Sequence, residues 1–92
     1  MILNLTLMIA DSRNVIGLRM RGVLQAKFEQ HPDLRSLLLS TGDARLVESA
    51  TVDNDVNRLW GEVNGVGKNM LGLLLMELRA ELRGEALVAA AA

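Results

Sequence analysis

The chain has 92 residues, half of them hydrophobic, which suffices for one small domain and excludes a two-domain arrangement. Ten Lys and Arg against eleven Asp and Glu give a net charge of -1, with no basic surplus to neutralise a phosphate backbone, so general nucleic-acid binding is not expected. The lack of any cysteine excludes a disulfide framework, a thiolate nucleophile and a Cys-ligated zinc.

Eighteen Leu and five Met stand against one Phe, one Trp and no Tyr, which predicts an aliphatic, mainly helical core. At the start, Leu3, Leu5, Leu7 and Ile9 alternate with Asn4 and Thr6 in the period of a strand. The same stretch lacks the cationic flank and small-residue cleavage site of a signal peptide. No run reaches the roughly 18 apolar residues of a membrane span, and a soluble, cytoplasmic protein is expected.

Asp11 or Ser12 can cap a helix over about Arg13 to Phe28, with Ile16, Met20, Val23, Leu24 and Phe28 on one side and Lys27 inside that apolar arc. Lys27 there reads most simply as a snorkelling stem, and Arg19 and Arg21 as surface charges. Gln30-His31-Pro32 breaks the chain, and Pro32 and Asp33 suit the first turn of a second helix whose buried stripe is Leu34, Leu37 and Leu38 and whose stop is Gly42. A short strand within Ala44 to Ser49, around Leu46 and Val47, and a polar loop from Thr51 to Arg58 are expected next. Asn69 then opens the clearest helix, with Leu71, Leu74, Leu75, Leu78 and Leu82 at helical spacing, Met70, Leu73 and Met76 widening the apolar surface, and Gly84 as its end, after which Glu85 to Ala92 reads as a helical or frayed tail.

The tract from Trp60 to Asn69 is the most informative part of the sequence. Its glycines Gly61, Gly65 and Gly67 let a backbone bend around a ligand, and amides at the start of the following helix could receive a phosphate. It departs from a Walker A loop, which would need Gly at 62 and Ser or Thr at 69 where Glu62 and Asn69 stand. The plainer reading is a turn that feeds a helix. Trp60 could stack on a base or sugar, with Asp53 or Asp55 as a nearby carboxylate, or could simply fill the core. The acidic loop has neither a His nor EF-hand spacing, so no metal and no cofactor is expected.

Taken together, Met20-x-x-x-Leu24-x-Ala26-Lys27-Phe28-Glu29-Gln30-His31-Pro32-Asp33-Leu34-Arg35, Leu37-Leu38-Leu39-x-Thr41-Gly42-Asp43-Ala44-x-Leu46-Val47-Glu48, Trp60-Gly61 and Gly67-Lys68-Asn69-x-Leu71-Gly72-x-Leu74-Leu75-Met76-Glu77-Leu78-Arg79 resemble the C-terminal half of a NADAR (YbiA-like) domain, over about residues 20–83. The resemblance implies one mainly α, α+β domain over residues 1–92, with one or two short strands. It also implies hydrolysis of N-glycosidic bonds, in phosphoribosylated riboflavin-pathway intermediates or in ADP-ribosyl groups. It places the catalytic roles on Asp55 and Trp60 and the substrate or phosphate contacts on Lys27, Gly61, Gly67, Lys68 and Asn69. An alignment on Trp60 would put Asn57 at the Asp position instead; Asp55 is preferred because an Asn cannot ionise.

The family's N-terminal half carries a Ser-Glu-His segment with a catalytic Glu that has no counterpart in these residues, and Ser12 stands where the family has Trp. An impaired glycosidase is therefore expected. The alternatives are a non-catalytic nucleotide- or ADP-ribose-binding remnant and a purely structural homo-oligomer. The partners implied are a phosphorylated ribosyl or ADP-ribose-type molecule and a second copy or a complementing N-terminal half.

Overall fold

A computed structural model describes residues 12–91, with side chains from residue 17 onward. The strand expected over 3–9 and the contact expected of Ile16 lie outside that part. Helix α1 (Ser12–Gln30) is followed by α2 (Pro32–Ser40), with His31 as the sole residue between them. Pro32 sits in the first turn with Asp33 behind it, as the sequence predicts. Arg35 closes the joint: its Nη2 donates to the carbonyls of Phe28 and Glu29 at 3.3 and 3.2 Å, satisfying groups that the end of α1 leaves open.

The buried stripe of α1 is narrower than predicted. Leu24 is buried and Met20 and Phe28 pack beside it at four-residue intervals, whereas Val23 is 63% exposed and Lys27 faces solvent. In α2, which packs against both α1 and the last helix, Leu38 is buried but Leu37 is 64% exposed. Arg21, expected as a surface charge, instead lies between α1 and the last helix and pairs with Glu77 and Glu81. Burial works against its charge, yet the hydrogen bonds it donates to Glu81 and Glu77 outweigh that and raise the Arg21 pKa.

Gly42, at φ +61°, ends α2 as expected, and its N–H donates to the Leu39 carbonyl at 3.1 Å. The turn is held from across the core. Buried Arg79 donates to Thr41 Oγ1 at 2.8 Å and to the Ala44 carbonyl at 2.9 Å, and Arg83 to Asp43 at 2.9 Å and to the Gly42 carbonyl. These arginines, one turn apart, serve as a C-terminal cap supplied by another helix.

The next segment corrects two expectations. Residues 44–48 form no strand; β1 is Ser49–Ala50, paired in parallel with β2 (Glu62–Val63), Ser49 opposite Glu62 and Ala50 opposite Val63. Parallel pairing needs a crossover, and α3 (Asp55–Trp60) supplies it where a polar loop was expected. Asn54 caps α3 by accepting the Asn57 N–H at 2.8 Å, and Asp55 lies in its first turn. After β2, Val63 and Val66 exchange backbone hydrogen bonds of 2.9 and 3.0 Å around Asn64 and Gly65, both at positive φ, which makes a two-residue hairpin.

The last helix, α4 (Met70–Ala91), starts one residue later than predicted and passes through Gly84. Met70, Leu74, Leu78 and Leu82 are buried along it, joined by Leu24 and Leu38, with Leu46, Leu59, Trp60, Leu71 and Leu75 at the margins. This is the central helix that its periodicity announces, and α1, α2 and α3 all contact it. Among the described residues no helix is long and apolar enough to cross a membrane.

Candidate functional site

The junction of α3 with the turn before α4 is fixed by backbone hydrogen bonds. The Lys68 N–H donates to the Arg58 carbonyl at 2.7 Å and the Asn69 N–H to the Gly61 carbonyl at 3.0 Å. Gly67 is needed between them: its φ is +153°, and a Cβ there would overlap the Gly61 and Arg58 carbonyl oxygens. The bend thus brings residues 67–68 against the solvent side of α3. Between them opens a cavity of about 520 Å³ lined by Asp55, Val56, Arg58, Leu59, Gly67 and Lys68. That volume is in the range of small-molecule pockets, roughly 300–1,000 Å³.

A helix advancing about 100° per residue sets residues 55, 56, 58 and 59 on one side and Asn57 on the other. The Asn57 amide accordingly donates away from the cavity, to the Val52 carbonyl at 2.7 Å. Of the two alternatives for the acidic position, Asp55 is the one that lines the cavity. Asp53 is engaged elsewhere, holding Arg58 side-on through Nε at 2.5 Å and Nη2 at 2.9 Å. That hydrogen-bonded guanidinium holds the Asp53 carboxyl below the usual carboxylate range.

The other residues named from sequence fall elsewhere. Trp60 is the last residue of α3 and not part of a loop; it is half-buried against the α4 cluster and is not in the cavity lining. It follows the cavity-lining Val56 by one helical turn. Lys27 projects from α1 and is also outside the lining.

Gly61 is buried because Glu48 crosses it; a Cβ there would overlap the Glu48 carbonyl oxygen, which accepts the Glu62 N–H at 2.8 Å. Asn69, expected to contact phosphate, is 2% exposed and fully committed to its own chain. Its Oδ1 accepts the Glu48 N–H at 2.9 Å and its Nδ2 donates to the Leu46 carbonyl at 2.8 Å. The amides of Lys68 and Asn69 are likewise taken, which removes them from the phosphate cradle that the glycines suggested.

Arg58, Val56 and Leu59 were not singled out in the sequence. The signal that exposes them is the spacing of Asp55, Arg58 and Leu59, at i, i+3 and i+4, which becomes visible once Asn54 is read as a helix cap. Among the described residues no group of three or more His, Asp or Glu side chains gathers as a metal site would require.

Comparison with known proteins places this geometry in context. The pattern of the NADAR domain matches residues 13–83. The chain is 58% identical over 64 residues to N-glycosidase YbiA of Shigella boydii, covering 68% of this chain and 38% of that protein. Against N-glycosidase YbiA of Escherichia coli the identity is 56% with the same coverage. Against the riboflavin biosynthesis protein PYRR, chloroplastic, of Arabidopsis thaliana it is 46% over 68 residues, 73% of this chain and 11% of that one. The chain thus spans well under half the length of these curated relatives. No solved structure matches it.

Proposed function

Because the chain belongs to the NADAR domain family, we propose that it supplies the C-terminal part of an N-glycosidase site acting on phosphoribosylated riboflavin-pathway intermediates or on ADP-ribosyl groups. The observation that carries this reading is the cavity between α3 and the 67–68 bend, where a carboxylate and two cations meet. Breaking an N-glycosidic bond builds positive charge on the sugar and needs water delivered to its anomeric carbon. Asp55 offsets that charge or activates the water. Lys68, beside Gly67, takes the phosphate. Trp60, one turn beyond Val56 but outside the lining, serves as a nearby reporter of ligand binding. The riboflavin branch follows the name that the Arabidopsis relative carries.

Among the described residues Asp55 is the one carboxylate lining this cavity, so the second acid in this reading is supplied by a separate N-terminal half or a second copy. Loss of a positioned acid or base commonly slows turnover about 10² to 10⁴-fold, so the 92-residue chain alone turns over feebly. Adding the N-terminal half of a relative is expected to raise hydrolysis, and Asp55→Asn to abolish it while ADP-ribose binding, followed by Trp60 fluorescence, stays nearly intact. Hydrolysis that ignores Asp55→Asn removes the site assignment. The lone carboxylate also supports a second reading, a nucleotide-binding module without turnover, which the same experiment identifies by binding with no hydrolysis under any mixture.

A further inference from the structure

We propose that Arg58 is the specificity-determining residue of the α3 cavity, presenting the free end of its guanidinium to a phosphate monoester or diphosphate, with Asp53 as its positioning residue. The inference deepens the glycosidase reading and rests on it for the identity of the sugar, while the binding chemistry stands on this chain's own side chains.

A guanidinium has two edges that can each make paired hydrogen bonds, one along Nε and Nη2 and one across the two Nη groups. Asp53 occupies the first, at 2.5 and 2.9 Å. The second makes no hydrogen bond among the described residues, and Arg58 lines the cavity while remaining partly exposed. An arginine gripped along one edge has lost much of its rotamer freedom, so an anion meeting the other edge has less ordering to oppose it.

Lys68 lies beside it for a structural reason, since its own N–H is bonded to the Arg58 carbonyl at 2.7 Å, and it forms no ion pair among the described residues. The lining therefore carries two cations and one carboxylate, Asp55. A phosphate monoester bears about -1.5 to -2 charges near neutral pH and suits the Arg58 and Lys68 side chains. A carboxylate repels it, so Asp55, one turn before Arg58 on the same face of α3, is left for the sugar hydroxyls and the reacting carbon. Two cations for an anion and one carboxylate for hydroxyls in the same lining suit a phosphorylated pentose and disfavour a neutral nucleoside.

The test uses the 92-residue chain and three probes, ribose 5-phosphate, ADP-ribose and ribose, with binding followed by calorimetry. Both phosphorylated probes are expected to bind, with affinity falling as salt rises, and ribose to bind far more weakly. The relative affinity of the first two distinguishes a monoester from a diphosphate as the preferred anion. Arg58→Gln should weaken the phosphorylated probes about ten- to a hundredfold, the range for losing hydrogen bonds to a charged group. Arg58→Lys, which keeps charge but lacks the forked edge, should recover part of that loss. Asp53→Asn should weaken binding less than Arg58→Gln and steepen its salt dependence.

Equal binding of ribose and ribose 5-phosphate, no binding of the phosphorylated probes, or unchanged binding by Arg58→Gln with native circular dichroism would each overturn the proposal. Binding as described without glycosidase turnover sinks only the catalytic reading. Turnover that is indifferent to Arg58→Gln, in a binding-silent variant, sinks only this inference.

Discussion

Asn69 shows how one side chain can look like a ligand contact in sequence and act as a joint in the fold. Its backbone is left-handed, at φ +50°, a region that Asn tolerates better than most residues. Its amide joins the 46–48 segment to the start of α4 through the Glu48 N–H and the Leu46 carbonyl. Removing the amide leaves two backbone groups without partners, each worth about 1–3 kcal/mol when buried. Asn69→Ala is therefore expected to lower the urea unfolding free energy by about 3 kcal/mol, and Asn69→Gly, which relieves the backbone but not the hydrogen bonds, by nearly as much. A Gly variant with wild-type stability would show that conformation alone matters here.

Asp53 behaves differently because it is on the surface. Its hydrogen bond with Arg58 lowers its pKa, so the pair's contribution is complete above the unfolded-state value, near 3.9, and is lost as acidification passes through the folded value. Carbon-detected NMR should find the Asp53 carboxyl titrating below that reference, and at the reference in Arg58→Gln; an unmoved midpoint would break the link between the two residues.

At the scale of elements, two glycines of α4 should respond oppositely to the same change. Gly72 is buried where α4 crosses the 46–48 segment, and a Cβ there would overlap the Leu46 carbonyl oxygen and the Asn69 amide. Gly84 has nothing near it. Alanine is the better helix former by about 0.8–1.0 kcal/mol, so Gly84→Ala should stabilise by about that amount. At Gly72 the overlap outweighs propensity, and Gly72→Ala should destabilise by about 1–3 kcal/mol. Thermal denaturation of both variants gives the comparison, and shifts of the same sign would refute it.

The same contrast explains what the sequence let be read. The spacing of Leu71, Leu74, Leu78 and Leu82 reveals α4 because about three turns repeat one pattern, and Pro32 with Gly42 brackets α2. Six residues cannot repeat, so α3 is written only in the Asn54 cap and in contacts with α4 that no local pattern contains. The β1–β2 pair depends on that crossover and was hidden with it. Asn64-Gly65 was a legible hairpin signal that the glycine-rich ligand reading absorbed. In the cavity, Asp55, Gly67 and Lys68 were visible through family resemblance, whereas Arg58 needs the helix to be seen first.

The whole molecule is longer than its size requires. Its extents are 45 × 29 × 22 Å and its radius of gyration 14.1 Å, against about 12 Å for a compact chain of this length. The excess has a visible source in α4, whose 22 residues run to about 33 Å. Every residue from Gly84 to Ala91 is exposed, Leu87 at 66% and Val88 at 72%. Such a tail adds length without adding core, so ending the chain after Gly84 should change stability by no more than about 0.5 kcal/mol. Small-angle scattering should at the same time show the radius of gyration falling toward about 12 Å.

Ending it four residues earlier is a different experiment. It removes Leu82, which is 5% exposed, together with the Arg83 hydrogen bonds that hold the turn after α2. A loss of about 3 kcal/mol or more is expected from the buried leucine and its contacts alone. Urea midpoints for the two truncations decide the matter. If the shorter deletion lowers the midpoint as much as the longer one, the exposed end of α4 contributes to the fold through association with another surface, and the boundary of the core drawn at Leu82 is wrong.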